Sequence, residues 1–149
     1  MRGRGGFSFL ELMIVVALAV LILGFVVPPV QQSLAATRLH SSAVLLASEL
    51  NLARTIAVTR GAALQVRINT AAGTFQVIDP QDPDHPPRSE KRLESGIRFA
   101  GGSNPVIEFF PRGFARGGVV RVVDDFGRTV EVQVLSTGMV EVRTVGGES

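Results

Sequence analysis

The sequence contains no cysteine, tryptophan or tyrosine, and it has only two histidines and one lysine. The lack of cysteine excludes a disulfide scaffold, a thiolate nucleophile and a cysteine-based zinc or iron–sulfur site. Two histidines are too few for a histidine-rich metal centre, and no glycine-rich phosphate loop is present. We therefore expect no enzymatic activity, no cofactor and no metal.

The charges almost balance, although the isoelectric point of the sequence is about 10.4. The 149 residues carry 15 basic and 13 acidic side chains, a net charge of +2. Because one lysine and no tyrosine or cysteine are present, few groups titrate between neutral pH and the arginine pKa. A small basic excess therefore raises the isoelectric point steeply, and the value is no sign of nucleic-acid binding.

Apolar residues are concentrated near the N-terminus. The segment Leu12–Val27 carries no polar side chain, and no charge follows it up to Thr37. The 21 residues from Phe7 to Val27 can cross a bilayer core of about 30 Å as a helix. Arg2 and Arg4 precede this segment, and flanking basic residues are retained on the cytoplasmic side. We expect one inner-membrane span, with the N-terminus cytoplasmic and the C-terminal portion periplasmic.

One acidic residue, Glu11, stands at the start of this apolar segment. An ionised carboxylate costs about 2.5–3.5 kcal/mol at the centre of a membrane helix and less near its end. Two interpretations stay open. In the first, the carboxylate of Glu11 stabilises the helix by interacting with the positive end of the helix dipole. In the second, Glu11 is a functional group that needs a partner inside the membrane.

Residues Gly5–Met13 read Gly-Gly-Phe-Ser-Phe-Leu-Glu-Leu-Met and lead into the apolar segment. This arrangement resembles the prepilin signature of type IV pilins and type II secretion pseudopilins. The resemblance implies that prepilin peptidase cleaves after Gly6 and that the new N-terminal Phe7 becomes N-methylphenylalanine. It also implies that Glu11 is the acid on which filament assembly depends.

The motif has a chemical rationale, because cleavage frees an α-amine at Phe7 that stays cationic after methylation. This amine and Glu11 can neutralise each other within one subunit or between neighbouring subunits. Removal of one partner in a low-dielectric surrounding leaves the other charge stranded, at a cost of about 3–5 kcal/mol. We therefore expect the pair to select the register of each subunit in a filament.

An ordinary secretory signal peptide is the main alternative for the N-terminus. Arg2 and Arg4 would then form its basic region, and Ser33–Ala35 would be a weak cleavage site. The apolar core is longer than the usual length of about 7–15 residues, and Glu11 fits poorly within it. A mature N-terminus at methylated Phe7, rather than at the residue after Ala35, distinguishes the two.

Two prolines, Pro28 and Pro29, follow the apolar segment, one helical turn after Gly24. Proline inside a helix removes a backbone hydrogen bond and bends the helix. Gly24 and Pro28 therefore mark a candidate kink, and the family resemblance implies local unwinding here in a filament. The alternative is that the prolines only end the membrane segment.

Residues 31–61 predict an amphipathic helix. Apolar side chains recur in steps of three and four, which is a helical stripe, at Leu39, Ala43, Leu46, Leu50, Ala53 and Ala57. Polar side chains are expected off this stripe at Arg38, His40, Ser42, Glu49, Arg54 and Arg60. Gly61 is a typical helix stop, and we expect the stripe to pack on the domain that follows.

From Ala63 onward the apolar period changes to two, which predicts β-strands. The first covers Leu64–Ile68, and others are predicted at residues 75–78, 96–100, 106–110, 119–123, 129–135 and 139–145. We predict turns at 124–128 and 136–138 that make antiparallel hairpins of the last three strands, and hairpin turns at Gly101–Gly102 and Gly117–Gly118. A β domain of about 88 residues buries little surface alone, so the helix stripe would supply the missing face.

The predicted fold class is α+β, a pilin fold in which one long N-terminal helix packs on an antiparallel β-sheet domain. The expected organisation is a leader at 1–6, a transmembrane or filament-core helix at 7–30, an amphipathic helix at 31–61 and a periplasmic β domain at 62–149. Loss of the leader would remove Arg2 and Arg4 and leave 13 basic and 13 acidic side chains. The basic excess would then belong to the leader alone.

Three segments of the exported part resemble the GspH/FimT group of minor pilins: Leu52–Gly61, Ile107–Gly113 and Val134–Val140. The resemblance implies a minor pseudopilin of a type II secretion system, at or near a filament tip, that helps to initiate or cap the pseudopilus. The alternative is a FimT-like minor pilin of a type IV pilus, involved in pilus assembly, adhesion or DNA uptake. The implied partners are prepilin peptidase/methyltransferase, other pilins or pseudopilins, and the inner membrane.

Two charged features carry weaker hypotheses. The acidic stretch Asp79–Asp84 opens a proline-rich insert that reaches Ser95, and its carboxylates with His85 are candidate ligands of a divalent cation. Its spacing matches no EF-hand, and a solvated loop is the simpler interpretation. Four arginines from Arg98 to Arg121 alternate with phenylalanines, as in a basic face that binds phosphate. Since Gly138–Glu141 lacks the Gly-Arg-x-Arg motif of DNA-binding FimT-like pilins, DNA binding stays open but unsupported.

Overall fold

The structure, a computed structural model, describes residues 8–84, 86 and 89–145, except for the side chains of residues 24–29. The chain divides into two compact units, one that ends at Leu34 and one that begins at Ala35. The described part of the first unit is the N-terminal portion of one long helix. The second unit contains the remainder of that helix and the strands.

Helix α1 runs from Phe9 to Arg60, a length of 52 residues. It ends where Gly61 predicts. This glycine has a φ of 65°, and the Ala62 N–H donates a hydrogen bond to the Ala57 carbonyl oxygen at 3.2 Å. The pattern is a Schellman cap, in which the left-handed conformation of the glycine lets the next N–H group donate a hydrogen bond to a free carbonyl group of the last turn.

The predicted apolar stripe of α1 is buried by the second unit, since its six side chains are at most 4% exposed. Two polar residues that we expected off the stripe are buried as well, with Ser42 at 0% and Glu49 at 6% exposure. The Ser42 hydroxyl accepts a hydrogen bond from the Glu94 backbone N–H at 3.3 Å. The prediction for these two residues was wrong, because the domain covers a wider arc of the helix than the apolar stripe.

Nine strands follow in the described part of the chain. Their bounds are Leu64–Asn69 (β1), Thr74–Ile78 (β2), Lys91–Arg92 (β3), Ile97–Phe99 (β4), Val106–Phe109 (β5), Ala115–Arg116 (β6), Gly118–Asp124 (β7), Thr129–Val134 (β8) and Val140–Val145 (β9). The longer strands lie where the period of two predicts them. The two-residue strands β3 and β6 are too short to produce such a pattern.

The strands form two antiparallel sheets rather than one. The first has the order β3-β2-β1-β5-β6, and its central strand places Val66 opposite Val77 on one side and Ile107 on the other. The second has the order β4-β7-β8-β9, and the predicted turns at 124–128 and 136–138 connect its last three strands as hairpins. Phe75 of the first sheet meets Phe99 of the second edge to face, with ring centroids 6.4 Å apart.

The structure corrects both predicted glycine hairpins. Gly118 begins β7 opposite Val134, and a Cβ at Gly117 would overlap the Val134 carbonyl oxygen. Gly117 therefore allows a close approach of two backbones, and Gly118 leaves room for the Asn104 side chain, instead of forming a turn. The turn at Gly101–Gly102 exists, but it lies between β4 and β5, which belong to different sheets.

Candidate assembly interface

The first unit exposes an unusual amount of apolar surface. Between 51% and 76% of the surface is exposed at Phe9, Leu10, Leu12, Met13, Ile14, Val15, Val16, Leu18, Val20, Leu21, Ile22 and Leu23. These side chains surround the helix on all sides, and a helix that is apolar all round requires an apolar surrounding, either lipid or other helices. Nothing in the described part of the chain supplies that surrounding.

In the described residues, no helix combines the length and the apolar character that a membrane crossing needs. The transmembrane segment at residues 7–30 stays a prediction.

Glu11 lies in the first turn of α1 and is exposed. It is the only acid between residues 8 and 48, and its neighbours Leu10 and Leu12 are apolar. Gly6 and Phe7, where we expect cleavage and methylation, lie outside the described residues, as does the leader at 1–6. The pairing of Glu11 with the Phe7 amine therefore stays a prediction.

The backbone of α1 is helical through Gly24 and Pro28, while the side chains at these positions lie outside the described part. Because proline has no N–H, Pro28 cannot donate the usual helix hydrogen bond to the carbonyl oxygen four residues earlier, which is that of Gly24. The missing hydrogen bond weakens this turn of the helix. The kink at this point stays a prediction.

Asp79, in the acidic stretch Asp79–Asp84, forms hydrogen bonds with residues of the same stretch. The Asp79 carboxylate accepts a hydrogen bond from the Gln81 backbone N–H at 2.9 Å, and the Asp79 carbonyl oxygen accepts one from the Asp82 N–H at 3.2 Å. No group of three metal-ligating side chains is found within the described ranges, from which His85 is excluded. These hydrogen bonds are those of a surface turn.

Carboxylates neutralise three of the four arginines between Arg98 and Arg121. The Arg98 guanidinium lies 3.3 Å from an Asp125 carboxylate oxygen, and that of Arg116 lies 3.1 Å from one of Glu108. The third pair joins Arg121 and Glu131. A face whose cations are already paired attracts phosphate weakly, so the geometry adds no support for DNA binding.

Asp124 opens the predicted turn at 124–128, where a solvated side chain was the simpler expectation, yet it is fully buried at the end of β7. Its carboxylate accepts hydrogen bonds from the backbone N–H groups of Phe126 and Arg128, both at 2.9 Å, and from the Arg128 guanidinium at 2.7 Å. Burial alone would raise the pKa of Asp124, but the hydrogen bonds and the charge of Arg128 outweigh it and lower the pKa below its ordinary value of 3.8. This carboxylate fixes the turn between β7 and β8.

The three segments of the GspH/FimT resemblance meet at the end of α1. The Arg54 Nε donates a hydrogen bond to the Gly113 carbonyl oxygen at 3.2 Å. A Cβ at Gly138 would overlap that same oxygen, and Gly138 also has a φ of 78°. Glycine is therefore required at this position, because the two loops and the helix approach too closely for any side chain.

A long N-terminal helix with an exposed apolar portion, packed by its second portion on antiparallel sheets, defines a pilin-like α+β protein. The model of the family described as type II transport protein GspH matches residues 42–138. The chain belongs to this family. The family and the fold are those of structural pilin subunits, which assemble with other pilins in a filament.

Solved structures of low sequence identity share the fold. The chain is similar to the minor pseudopilin EpsH from the type 2 secretion system of Vibrio cholerae, with a TM-score of 0.61 and 13% identity over 72% of this chain and 97% of that one. It is similar to the type IV minor pilin FimU of Pseudomonas aeruginosa, with a TM-score of 0.58 and 15% identity over 72% and 90% of the two chains. A search of curated proteins found no match. At these identities the likenesses show the fold, which the minor pseudopilin and the minor pilin share.

Proposed function

We propose that this chain is a minor pseudopilin of a type II secretion system, which helps to initiate or cap the pseudopilus that drives protein export. The observation that carries the proposal is the match of the GspH family across residues 42–138. The prepilin motif of Gly6, Phe7 and Glu11 and the exposed apolar side chains from Leu12 to Leu23 support the same proposal.

In this proposal the uncut chain waits in the inner membrane with the second unit in the periplasm. Prepilin peptidase/methyltransferase cuts between Gly6 and Phe7 and methylates the new amine. The apolar helix then leaves the lipid and packs beside the helices of other pilins. Glu11 meets the Phe7 amine inside this dry bundle, where an unpaired charge is expensive, so only the matched register is stable.

Mass spectrometry of the full chain, purified in detergent from cells with an intact secretion system, tests the processing. We expect a mature chain that begins at N-methylated Phe7, and a Gly6→Val variant that keeps its leader. The related test of function is deletion of the gene, after which secretion of exoproteins should fall while pilus retraction continues. A mature N-terminus after Ala35 would refute the pilin assignment.

A minor pilin of a type IV pilus, FimT-like in its role, is the second candidate. The similarity to FimU favours it, since its TM-score of 0.58 is close to the 0.61 for EpsH. Deletion would then impair pilus assembly, adhesion or DNA uptake and leave exoprotein secretion intact. The same deletion strain therefore decides between the two machines.

A further inference from the structure

Three large apolar side chains are exposed near the end of α1. Val58 of α1 is 49% exposed, Phe114 in the loop between β5 and β6 is 57% exposed, and Met139 in the turn between β8 and β9 is 52% exposed. Single exposed apolar residues are ordinary on a protein surface, whereas a contiguous group with a polar rim marks an interaction site. Whether these three residues mark an interaction site therefore depends on whether they lie close together.

Close approaches at the adjacent glycines place the three segments that carry these residues side by side. A Cβ at Gly113, next to Phe114, would lie 3.8 Å from the Val58 Cγ2. A Cβ at Gly138, next to Met139, would overlap the Gly113 carbonyl oxygen. We call the surface formed by Arg54, Val58, Arg112, Phe114 and Met139 the distal patch.

The rim of the distal patch is cationic. The Arg54 side chain is held by its Nε–H on the Gly113 carbonyl oxygen at 3.2 Å, which leaves its two Nη groups without a carboxylate partner in the described chain. Arg112 is exposed and likewise has no carboxylate partner among the described residues. A guanidinium that is already oriented by one hydrogen bond presents a planar pair of donors, which fits a carboxylate.

Within the second unit, the distal patch lies at the end of α1 that is farther from Ala35, where this unit begins. From Ala35 to Val58 the helix rises by roughly 35 Å, at about 1.5 Å per residue.

We propose that the distal patch binds a different pilin-class subunit through a segment that places an aspartate or glutamate beside an apolar side chain. The inference rests on the proposed function, because that function supplies the partner. Aromatic residues, methionine and arginine are the side chains enriched in protein interfaces. The patch contains no acidic residue, so a symmetric contact with a second copy would set cation against cation.

Site-specific crosslinking of the full chain in its own cells tests the proposal. A benzophenone amino acid replaces Phe114, and the matched control carries it at Phe126, which is 51% exposed in the turn between β7 and β8. We expect crosslinks from position 114, and not from 126, to one other pilin-class subunit, within a few residues of an aspartate or glutamate. Arg112→Glu should lower this yield about fivefold, the upper range for an exposed ion pair, whereas Arg38→Glu should leave it unchanged.

Three results would overturn the proposal: equal yields at the two positions, a crosslink to a second copy, or a nuclease-sensitive crosslink to nucleic acid. Because Phe114 and Arg112 are exposed, these variants should keep the thermal unfolding midpoint of the parent chain. Recovery of other pilin-class subunits with a tagged full chain reports the proposed function separately. Recovery without a crosslink at 114 rejects only the distal patch, and failure of recovery rejects both.

Discussion

The two portions of helix α1 are both rich in apolar residues, yet they differ in where those residues point. From Phe9 to Leu23 the large apolar side chains are 51–76% exposed and lie on all sides of the helix. From Leu39 to Ala57 six apolar side chains form one stripe that is at most 4% exposed, while Val44, which lies off the stripe, is 47% exposed. A stripe can be covered by a domain on the same chain, whereas a helix that is apolar all round has to be covered by lipid or by other molecules.

The two portions of α1 are therefore expected to contribute to different properties, one to the stability of the fold and the other to assembly. The second portion of α1 contributes to the folded core of its own unit, so changes there should alter the free energy of unfolding. The first portion contributes no buried contact within the described chain, so changes there should alter assembly instead. Four experiments test this difference between the two portions, and they follow in order of decreasing expected effect.

Glu11→Ala should abolish assembly and leave folding intact. If the carboxylate neutralises the Phe7 amine in a dry helix bundle, its loss costs about 3–5 kcal/mol, which corresponds to about a hundredfold or more in assembly. The measurement is recovery of other pilin-class subunits with the tagged full chain, and Glu90→Ala, at an exposed acid of the second unit, is the control. Normal recovery with Glu11→Ala would show that the pairing role is wrong.

Leu50→Ala and Leu18→Ala make the same chemical change in the two portions of α1. Leu50 is 0% exposed and Leu18 is 53% exposed. We expect Leu50→Ala to lower the free energy of unfolding by about 2–5 kcal/mol, because it removes buried surface and leaves a cavity. Leu18→Ala should change it by less than about 0.5 kcal/mol. Chemical denaturation of the full chain in detergent measures both, and equal effects would remove the distinction between the two portions.

Asp124→Asn should destabilise only the second unit, and the effect should depend on pH. Loss of the charge weakens hydrogen bonds that are worth about 1–3 kcal/mol at pH 7. Because the folded-state pKa lies below the ordinary value of 3.8, the contribution of Asp124 is fully present above that value and is lost as pH falls through the folded-state pKa. The denaturation midpoints of parent and variant should therefore differ at pH 7 and converge as the pH falls below 3.8. A difference independent of pH would contradict the role of the charge.

Gly61→Ala should have the smallest effect, about 1 kcal/mol, because it forces a side chain into a left-handed backbone conformation. Gly61 has a φ of 65° and open space around it, so backbone strain is the whole cost. Gly101→Ala is the control, since Gly101 also has open space but no positive φ. Thermal unfolding should show a lower midpoint for the first variant alone, and a matching loss in the control would point to another cause.

Most of the secondary structure could be predicted from local patterns. The stripe of α1 and the longer strands follow from a period of three to four or of two in neighbouring residues, and the stop at Gly61 follows from the preference of glycine for helix ends. The strands β3 and β6 escaped prediction because two residues carry no period. The burial of Ser42 and Glu49 escaped it because a helical stripe defines the centre of a buried face and not its width.

Among the candidate sites, too, some could be predicted from the sequence and others could not. The motif of Gly6, Phe7 and Glu11 is contiguous in sequence, and its residues could be named without any fold. The position of Asp124 in a turn could be predicted from the sequence, but its burial depends on the strands around it. The distal patch has no local signal, because its members come from three segments.

Neighbouring residues alone specify that the N-terminal portion is a uniformly apolar helix with one acid, which a single face of a domain cannot cover. Which of the described arginines are paired with carboxylates depends instead on the tertiary structure, because it brings together residues that are separated in sequence. The Arg54 side chain meets Gly113 across 59 positions, and Arg98 meets Asp125 across 27. Such contacts depend on how the sheets pack against the helix, and that packing is set by many buried side chains together.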